Sequence, residues 1–285
     1  MDQKPARNEL QKTFIAMIFA FAVSAVALQL AEFFIVVTGN WTLHAKGNQG
    51  FNSQELLNLG AILSHLAVAL IMITASWVMW SKSQAAGHLA AVESIVSLKF
   101  FLVLIEVVLV TLYFSISKSA EGSFTKYTAT QNFQDYLTTP SASPEAVQIL
   151  LVFILFLLWD FVADVAMSPL NPNPASRFKR VLNWVPGTFV YGFVSVACAL
   201  LTLPILYLSS GSVVPGAAIS GDFALILLVI LFYQLKAIEP YLLRLAKTQA
   251  TRANTPRDPK PIHWIQIIFL FFGYAAALTC LWSLR

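Results

Sequence analysis

The stretch VQILLVFILFLLWDFVADVAM, from Val147 to Met167, decides the fold class of this chain. Almost every residue in it is aliphatic or aromatic, and it has the length that a membrane-spanning helix needs, about 20 residues. Two carboxylates interrupt it, Asp160 and Asp164, which on an α-helix lie on one face, one turn apart. Because a charge in such a segment is costly, the two aspartates are the first candidates for a functional site.

The composition of the whole chain agrees with this stretch. The 285 residues are 58% hydrophobic and 11% charged, whereas soluble domains carry about 25% charged residues. No polar segment is long enough for a second folded domain. We therefore predict an all-α integral membrane protein that forms a single polytopic membrane domain. Its seven transmembrane helices are expected at about 13–38, 56–80, 98–115, 147–167, 184–208, 222–243 and 263–284.

The distribution of lysine and arginine predicts how the chain is inserted. Of the 18 such residues, only Lys46, Lys118, Lys126 and Arg285 fall on the side opposite the N-terminus. Because positive residues collect in cytoplasmic loops, the N-terminus is expected to be cytoplasmic and the C-terminus outside. This orientation argues against a seven-helix receptor. The last apolar run also lacks the central lysine that a retinal protein needs.

The basic residues also indicate what the protein contacts. The net charge of +4 is explained by basic loops on one side of the lipid bilayer, so we expect no nucleic-acid partner. Compact loops and the presence of only two cysteines favour a bacterial inner membrane. Homo-oligomers and membrane-complex partners both stay open. Contacts with anionic lipid or a partner are expected from Arg177, Lys179, Arg180, Arg252, Arg257 and Lys260.

Further ionisable residues lie inside the predicted spans. Glu32 is in the first run and His65 in the second, and the short loop between these runs makes them neighbours in an antiparallel pair. We therefore expect a hydrogen bond between Glu32 and His65. Glu106 lies in the middle of the third run, and the sequence suggests no partner for it. Lys236, in the sixth run, is expected to extend its ammonium group to the cytoplasmic surface.

Each of these groups has a structural interpretation beside a functional one. Asp160 and Asp164 either reach interfacial water beside the basic loop that follows them, or share a proton or hold a cation. Glu32 and His65 form either a polar clamp between helices or a protonatable pair on a pathway. Glu106 either makes a structural hydrogen bond or takes part in a relay.

The leading functional hypothesis is a membrane channel or transporter for an ion, proton or small solute. Its pathway candidates are Asp160, Asp164, Glu106, Glu32 and His65. No metalloprotease, nucleophile-elbow or phosphate-binding motif is present, so neither an enzyme nor a cofactor is favoured, and metal binding is left open. Glycine is scarce, 12 residues in 285, which favours a fixed pore over a moving carrier. The alternative is a non-catalytic structural or accessory subunit of a larger membrane complex.

Overall fold

The computed structural model describes residues 3–46, 53–85, 94–130, 141–166, 191–212, 214–246 and 261–285. Within these ranges the chain is helical and contains no strand. The described residues form seven α-helices: α1 (Gln3–Lys46), α2 (Ser53–Ala85), α3 (Leu98–Thr130), α4 (Ser143–Asp160), α5 (Phe193–Ser209), α6 (Pro215–Ala246) and α7 (Pro261–Ser283). A π-helical segment, Phe161–Ala166, continues α4.

Six of these helices are long and apolar enough to cross a bilayer, and α5 is a shorter apolar helix. Their apolar residues run around the whole circumference, which suits a helix surrounded by lipid and by other apolar helices. The exposed surface includes large side chains such as Phe269 and Phe272 on α7 and Phe21 on α1. An apolar exterior of this kind indicates an integral membrane protein, as the composition predicts.

Neighbouring helices alternate in direction. Glu145 and Asp160, near the two ends of α4, lie beside residues in the same order on α6, so α4 and α6 are parallel. In contrast, Phe19 near the start of α1 packs against Trp80 near the end of α2. Helices α1, α3, α5 and α7 therefore run one way, and α2, α4 and α6 run the other. Helix α6 lies centrally, in contact with α2, α4, α5 and α7.

Several helices extend into segments that the sequence marked as loops. Helix α1 continues to Lys46, and α3 continues to Thr130, although we expected loops from Gly39 and Ile116 onward. Helix α4 begins at Ser143 and α6 at Pro215, each before the predicted start of its span. These additions are polar, so a search for apolar runs does not detect them. They matter because they place further acidic side chains on helices inside the bundle.

Two backbone features shape helix α5, one inside the helix and one at its end. Pro204 lies inside it, where the missing N–H group is expected to bend the helix. The helix ends at Ser209, and Gly211 follows with a φ of 77°, a conformation that favours glycine. The Ser141 hydroxyl donates a hydrogen bond to the Ser209 carbonyl oxygen at 2.8 Å. The end of α5 is thereby fixed beside the start of α4.

Candidate functional site

A histidine and two carboxylates meet inside the bundle, near the end where α2, α4 and α6 begin. We call His65, Glu145 and Asp222 the histidine cluster. The His65 Nδ1 atom lies 2.9 Å from Asp222 Oδ2 and 3.7 Å from Glu145 Oε1. The side chains are 2%, 0% and 3% exposed for His65, Asp222 and Glu145. Three ionisable groups on three helices thus share one buried space.

Two serine hydroxyls hold the carboxylates of the histidine cluster. Ser64 Oγ donates to Asp222 Oδ2 at 2.5 Å, and Ser119 Oγ donates to Glu145 Oε1 at 2.8 Å. The second oxygen of each carboxylate and His65 Nδ1 form no hydrogen bond within the described part of the chain. No lysine or arginine pairs with either carboxylate in the same part. The side chains of the histidine cluster are therefore held in place, but the charge of the two carboxylates is poorly compensated.

A second buried group lies near the opposite end of α4 and α6. We call Lys236, Asp160 and Glu239 the lysine cluster. Lys236 Nζ lies 2.7 Å from Asp160 Oδ2 and 2.8 Å from Glu239 Oε2, and it also donates to the Tyr191 carbonyl oxygen at 3.3 Å. Ser195 Oγ donates to Asp160 Oδ2 at 2.9 Å. The ammonium group thus uses three oxygen partners, which compensates its burial.

The lysine cluster corrects two expectations. Lys236 was expected to reach the cytoplasmic surface, but its side chain is only 5% exposed and turns inward to Asp160. One interpretation placed Asp160 in interfacial water beside the basic loop. Its side chain is only 4% exposed, and the cation that pairs with it is Lys236 on α6. Each residue explains the position of the other. A buried acid near a helix C-terminus is unfavourable alone, and an opposite charge on a parallel helix offsets the cost.

The two aspartates of the opening stretch do not share a regular α-helical turn. Helix α4 ends at Asp160, and Asp164 lies within the π-helical segment Phe161–Ala166. Hydrogen bonds in a π-helix span five residues, so the α-helical ladder is interrupted here, although positions four apart still lie about one turn from each other. The Asp164 side chain lies outside the described residues. A shared proton or cation between the two aspartates therefore stays a prediction.

Glu106 is buried, with 5% exposure, but it lies in the first third of α3 and not at its centre, because α3 continues to Thr130. The indole side chains of Trp80 and Trp159 lie beside its carboxyl group. About two turns further along α3, Tyr113 lies beside Ser76 and Tyr233. The Ser76 and Tyr233 hydroxyls form a short hydrogen bond with each other. The hydroxyl groups lie between the two clusters, whereas Glu106, beside Trp159, lies near the level of Asp160.

Glu32 and His65 do not form the hydrogen bond that we expected. Glu32 is exposed on the outer face of α1, whereas His65 faces Asp222 and Glu145. The two helices are neighbours, but His65 lies on the face of α2 that is turned toward α6. Adjacency in sequence correctly paired α1 with α2, but it gave no information about the rotation of either helix.

Apolar side chains fill much of the space between the two clusters. From Glu145 to Asp160 the α-helical rise covers about 22 Å. Along this distance Ile149, Val152 and Phe153 on α4 and Leu225 and Leu228 on α6 belong to one hydrophobic core, and all five are 0% exposed. We call these five residues the apolar layer. The two clusters are thus separated by buried apolar side chains.

Glu145 and Asp222 were missed from the sequence because they lie at the edges of the apolar runs. Each follows a proline that begins a helix, Pro144 for α4 and Pro215 for α6. Proline is favoured in the first turn of a helix, so Ser143-Pro144-Glu145 could have been recognised as a helix start. A helix start at Ser143 would have placed Glu145 in the first turn of α4. A helix start at Pro215 would have placed Asp222 two turns into α6.

The basic residues assigned to lipid or partner contact fall outside the described part of the chain. They are Arg177, Lys179, Arg180, Arg252, Arg257 and Lys260. The contacts predicted for these residues remain predictions.

Comparison of the chain with known protein families, curated proteins and solved structures gives no match. The class of protein therefore rests on the helices themselves. Six apolar helices of spanning length, with a shorter seventh, define an α-helical integral membrane protein in contact with the lipid bilayer. What distinguishes it within this broad class is the pair of buried charged clusters.

Proposed function

We propose that the chain is a membrane transporter for a proton or another small ion. The observation that carries the proposal is the placement of two buried charged clusters near opposite ends of the same parallel helices, α4 and α6. Ionisable side chains are costly at membrane depth, and in transport proteins they mark the substrate pathway. A protein that only needed to span the bilayer would not require either cluster.

The packing between the clusters favours a particular kind of transport. The five residues of the apolar layer are fully buried, which supports transport by a proton relay or by moving helices. The fixed pore that scarce glycine favours stays an untested alternative. Either protons pass along the hydroxyl and carboxyl groups of Ser76, Tyr113, Tyr233 and Glu106, or the helices move so that each cluster opens in turn.

The test is an ion-flux assay on purified protein in liposomes, with H⁺, Na⁺, K⁺ and Cl⁻ measured separately. Wild-type flux that is lost in Asp222→Asn and in Asp160→Asn would support the proposal. The matched control is Glu9→Gln, since Glu9 is an exposed acid at the start of α1 that pairs with Lys12. Absence of flux for every ion, from protein shown to be folded and inserted, would contradict the proposal.

One observation favours the alternative of an accessory subunit. Glu32 is exposed on α1 among Phe21, Leu28 and Ile35, which are 67%, 59% and 70% exposed. A carboxylate on a lipid-facing stripe is unfavourable unless a donor covers it. A partner helix that presents a hydroxyl, lysine or arginine would do so. Co-purification of a membrane partner that is lost in Glu32→Gln would support this second function.

The proposed orientation, number of spans and membrane are based on the sequence. We place the N-terminus in the cytoplasm and the C-terminus outside, with seven spans in a bacterial inner membrane. On this orientation the histidine cluster lies toward the outer face and the lysine cluster toward the cytoplasm. Cysteine labelling from either side of intact cells, at Asn48 in the first loop and Thr251 in the sixth, tests the orientation. Labelling of N48C from outside and T251C from inside is expected.

A further inference from the structure

The histidine cluster has the chemistry of a cation-binding site, beyond the proposed transport. A nitrogen from His65 and an oxygen from each of Glu145 and Asp222 lie within 4.8 Å of one another. In a tetrahedral zinc site with bonds of about 2.0–2.1 Å, neighbouring donor atoms are about 3.3 Å apart. The observed 2.9 Å and 3.7 Å separations from His65 Nδ1 lie on either side of that value.

Unsatisfied atoms point to a missing positive charge. His65 Nδ1 lies 2.9 Å from Asp222 Oδ2 and 3.7 Å from Glu145 Oε1, yet it forms no well-aligned hydrogen bond with either oxygen or with any other described residue. The free oxygens Glu145 Oε2 and Asp222 Oδ1 are equally buried and unsatisfied. Buried polar atoms in proteins almost always have a partner, so three orphans in one place require an explanation. A bound cation accounts for all three at once.

Charge balance leads to the same conclusion. With both carboxylates ionised, the histidine cluster keeps an excess negative charge even if the imidazole is protonated. No lysine or arginine pairs with it in the part of the chain that the structure describes. An uncompensated charge at this depth is strongly unfavourable. A divalent ion would neutralise both carboxylates and leave the imidazole neutral, which is the form that binds metals.

The hydroxyl groups around the cluster fit the same interpretation. Ser64 and Ser119 each donate to one carboxylate oxygen and thereby fix its orientation. Metal-binding carboxylates are commonly held by such outer hydrogen bonds, which preset the ligand geometry. Both serines are on helices, α2 and α3, so the arrangement is rigid. The ligand groups are thus positioned before any ion arrives.

We propose that His65, Glu145 and Asp222 bind a divalent transition-metal ion of the Zn²⁺ class between α2, α4 and α6. One imidazole with two carboxylates suits Zn²⁺, Mn²⁺ or Fe²⁺, whereas Ca²⁺ and Mg²⁺ prefer an all-oxygen shell. The binding does not require transport, since it is measured at equilibrium without a gradient. A failure of binding and a failure of flux are therefore separate results.

The first experiment measures metal content. Purified full-length protein in detergent is stripped with a chelator, dialysed against Zn²⁺ and analysed by mass spectrometry. One Zn²⁺ per chain is expected in the wild type, and its loss is expected in His65→Gln and Asp222→Asn. Glu106→Gln, a buried acid elsewhere in the bundle, is the matched control and should keep the ion. A wild type without Zn²⁺, or a His65→Gln variant that still holds one, would overturn the proposal.

A second measurement guards against variants that fail to fold. X-ray absorption of the Zn²⁺-loaded wild type should show nitrogen and oxygen ligands with one imidazole. Sulfur ligation, from Cys198 or Cys280, or a shell of water oxygens alone would overturn the assignment. Ser119→Ala removes only an outer hydrogen bond and is expected to weaken Zn²⁺ binding about 10- to 100-fold. Excess Ca²⁺ should not displace the ion, and displacement at comparable concentration would contradict the proposed class.

Discussion

The two clusters contain the same kinds of groups, two carboxylates and one nitrogen base, but they balance their charges differently. In the lysine cluster a fixed cation reaches three oxygens between 2.7 and 3.3 Å. In the histidine cluster the base can be neutral, and three buried atoms lack hydrogen-bond partners. The lysine cluster is built like a closed structural contact, whereas the histidine cluster is built to accept something from outside.

The ends of α4 contribute to this difference. Glu145 lies in the first turn of the helix, where the helix dipole stabilises a negative charge. Asp160 lies at the opposite end, where the dipole disfavours one. Asp160 is accordingly paired with Lys236, while Glu145 has no lysine or arginine partner among the described residues. Helix α4 thus contributes to a charge-paired cluster at one end and to a cluster with excess negative charge at the other.

The largest effect is expected from Lys236→Met, which tests whether the lysine cluster is a structural contact. Removing the ammonium group leaves Asp160 and Glu239 facing each other in a buried space. Loss of one member of a buried ion pair costs about 3–5 kcal/mol. Thermal unfolding in detergent should show a clear drop in Tm relative to Lys118→Met, since Lys118 is an exposed lysine on α3.

A double variant sharpens this test. Asp160→Asn combined with Lys236→Met removes both main charges and should recover part of the stability lost in Lys236→Met. A double variant no more stable than Lys236→Met alone would show that the loss comes from packing. The comparison between the clusters would then lose its electrostatic basis.

A smaller effect is expected from Gly221→Ala, which tests how tightly the histidine cluster is enclosed. A Cβ atom at Gly221 would lie 2.6 Å from the Ala142 Cβ, and neither atom can move without its helix. Overpacking of this kind costs about 1–3 kcal/mol. Separation of α4 from α6 next to Asp222 should also weaken Zn²⁺ binding.

Gly216→Ala is the matched control for this prediction. The added methyl group would meet a Leu284 side-chain carbon at 3.5 Å, an ordinary contact. Its Tm should equal or exceed that of the wild type, because alanine is favoured over glycine in helices. Equal Tm values for the two variants would show that α4 and α6 have room to separate.

Asp222→Asn should change stability less than Gly221→Ala when chelator is present. The amide oxygen can still accept from Ser64, and the change removes part of the excess negative charge. We expect a shift within about 1 kcal/mol in unfolding free energy. A loss as large as that of Lys236→Met would mean that the two clusters are compensated alike, contrary to the comparison.

Glu32→Gln is expected to have the smallest effect and provides the reference for an acid outside both clusters. Exposed substitutions usually change stability by less than about 0.5 kcal/mol. The purified variant should therefore unfold at the wild-type temperature in detergent. A marked rise in Tm would indicate that the exposed carboxylate is itself a source of instability in the isolated chain.

Much of the helical architecture could be predicted from the sequence, because long apolar runs directly report helices of spanning length. The candidate residues His65, Glu106 and Asp160 were also found, since an ionisable group stands out in such a run. Their partners were not. Whether His65 faces Glu32 or Asp222 depends on how α2 is rotated and on which helices pack together, and apolar periodicity that runs all round a helix carries no such information.

The π-helical segment shows a second limit of the sequence. No residue type between Phe161 and Ala166 marks a change from α-helical to π-helical hydrogen bonding. The shift depends on what the segment packs against, so the sequence did not reveal it, and the shared face of Asp160 and Asp164 stays a prediction. Lys236 was misassigned for a related reason, because the acid that holds it lies on another helix.

The apolar layer between the clusters has an electrical consequence. In a bilayer, the transmembrane voltage falls mainly across regions of low dielectric constant, and the separation of about 22 Å between the clusters is a large part of the roughly 30 Å hydrocarbon thickness. An elementary charge moved from one cluster to the other would therefore cross much of the voltage drop. Each 100 mV across the whole membrane corresponds to about 2.3 kcal/mol per charge. Any such movement would be electrogenic, and its direction would follow the membrane potential.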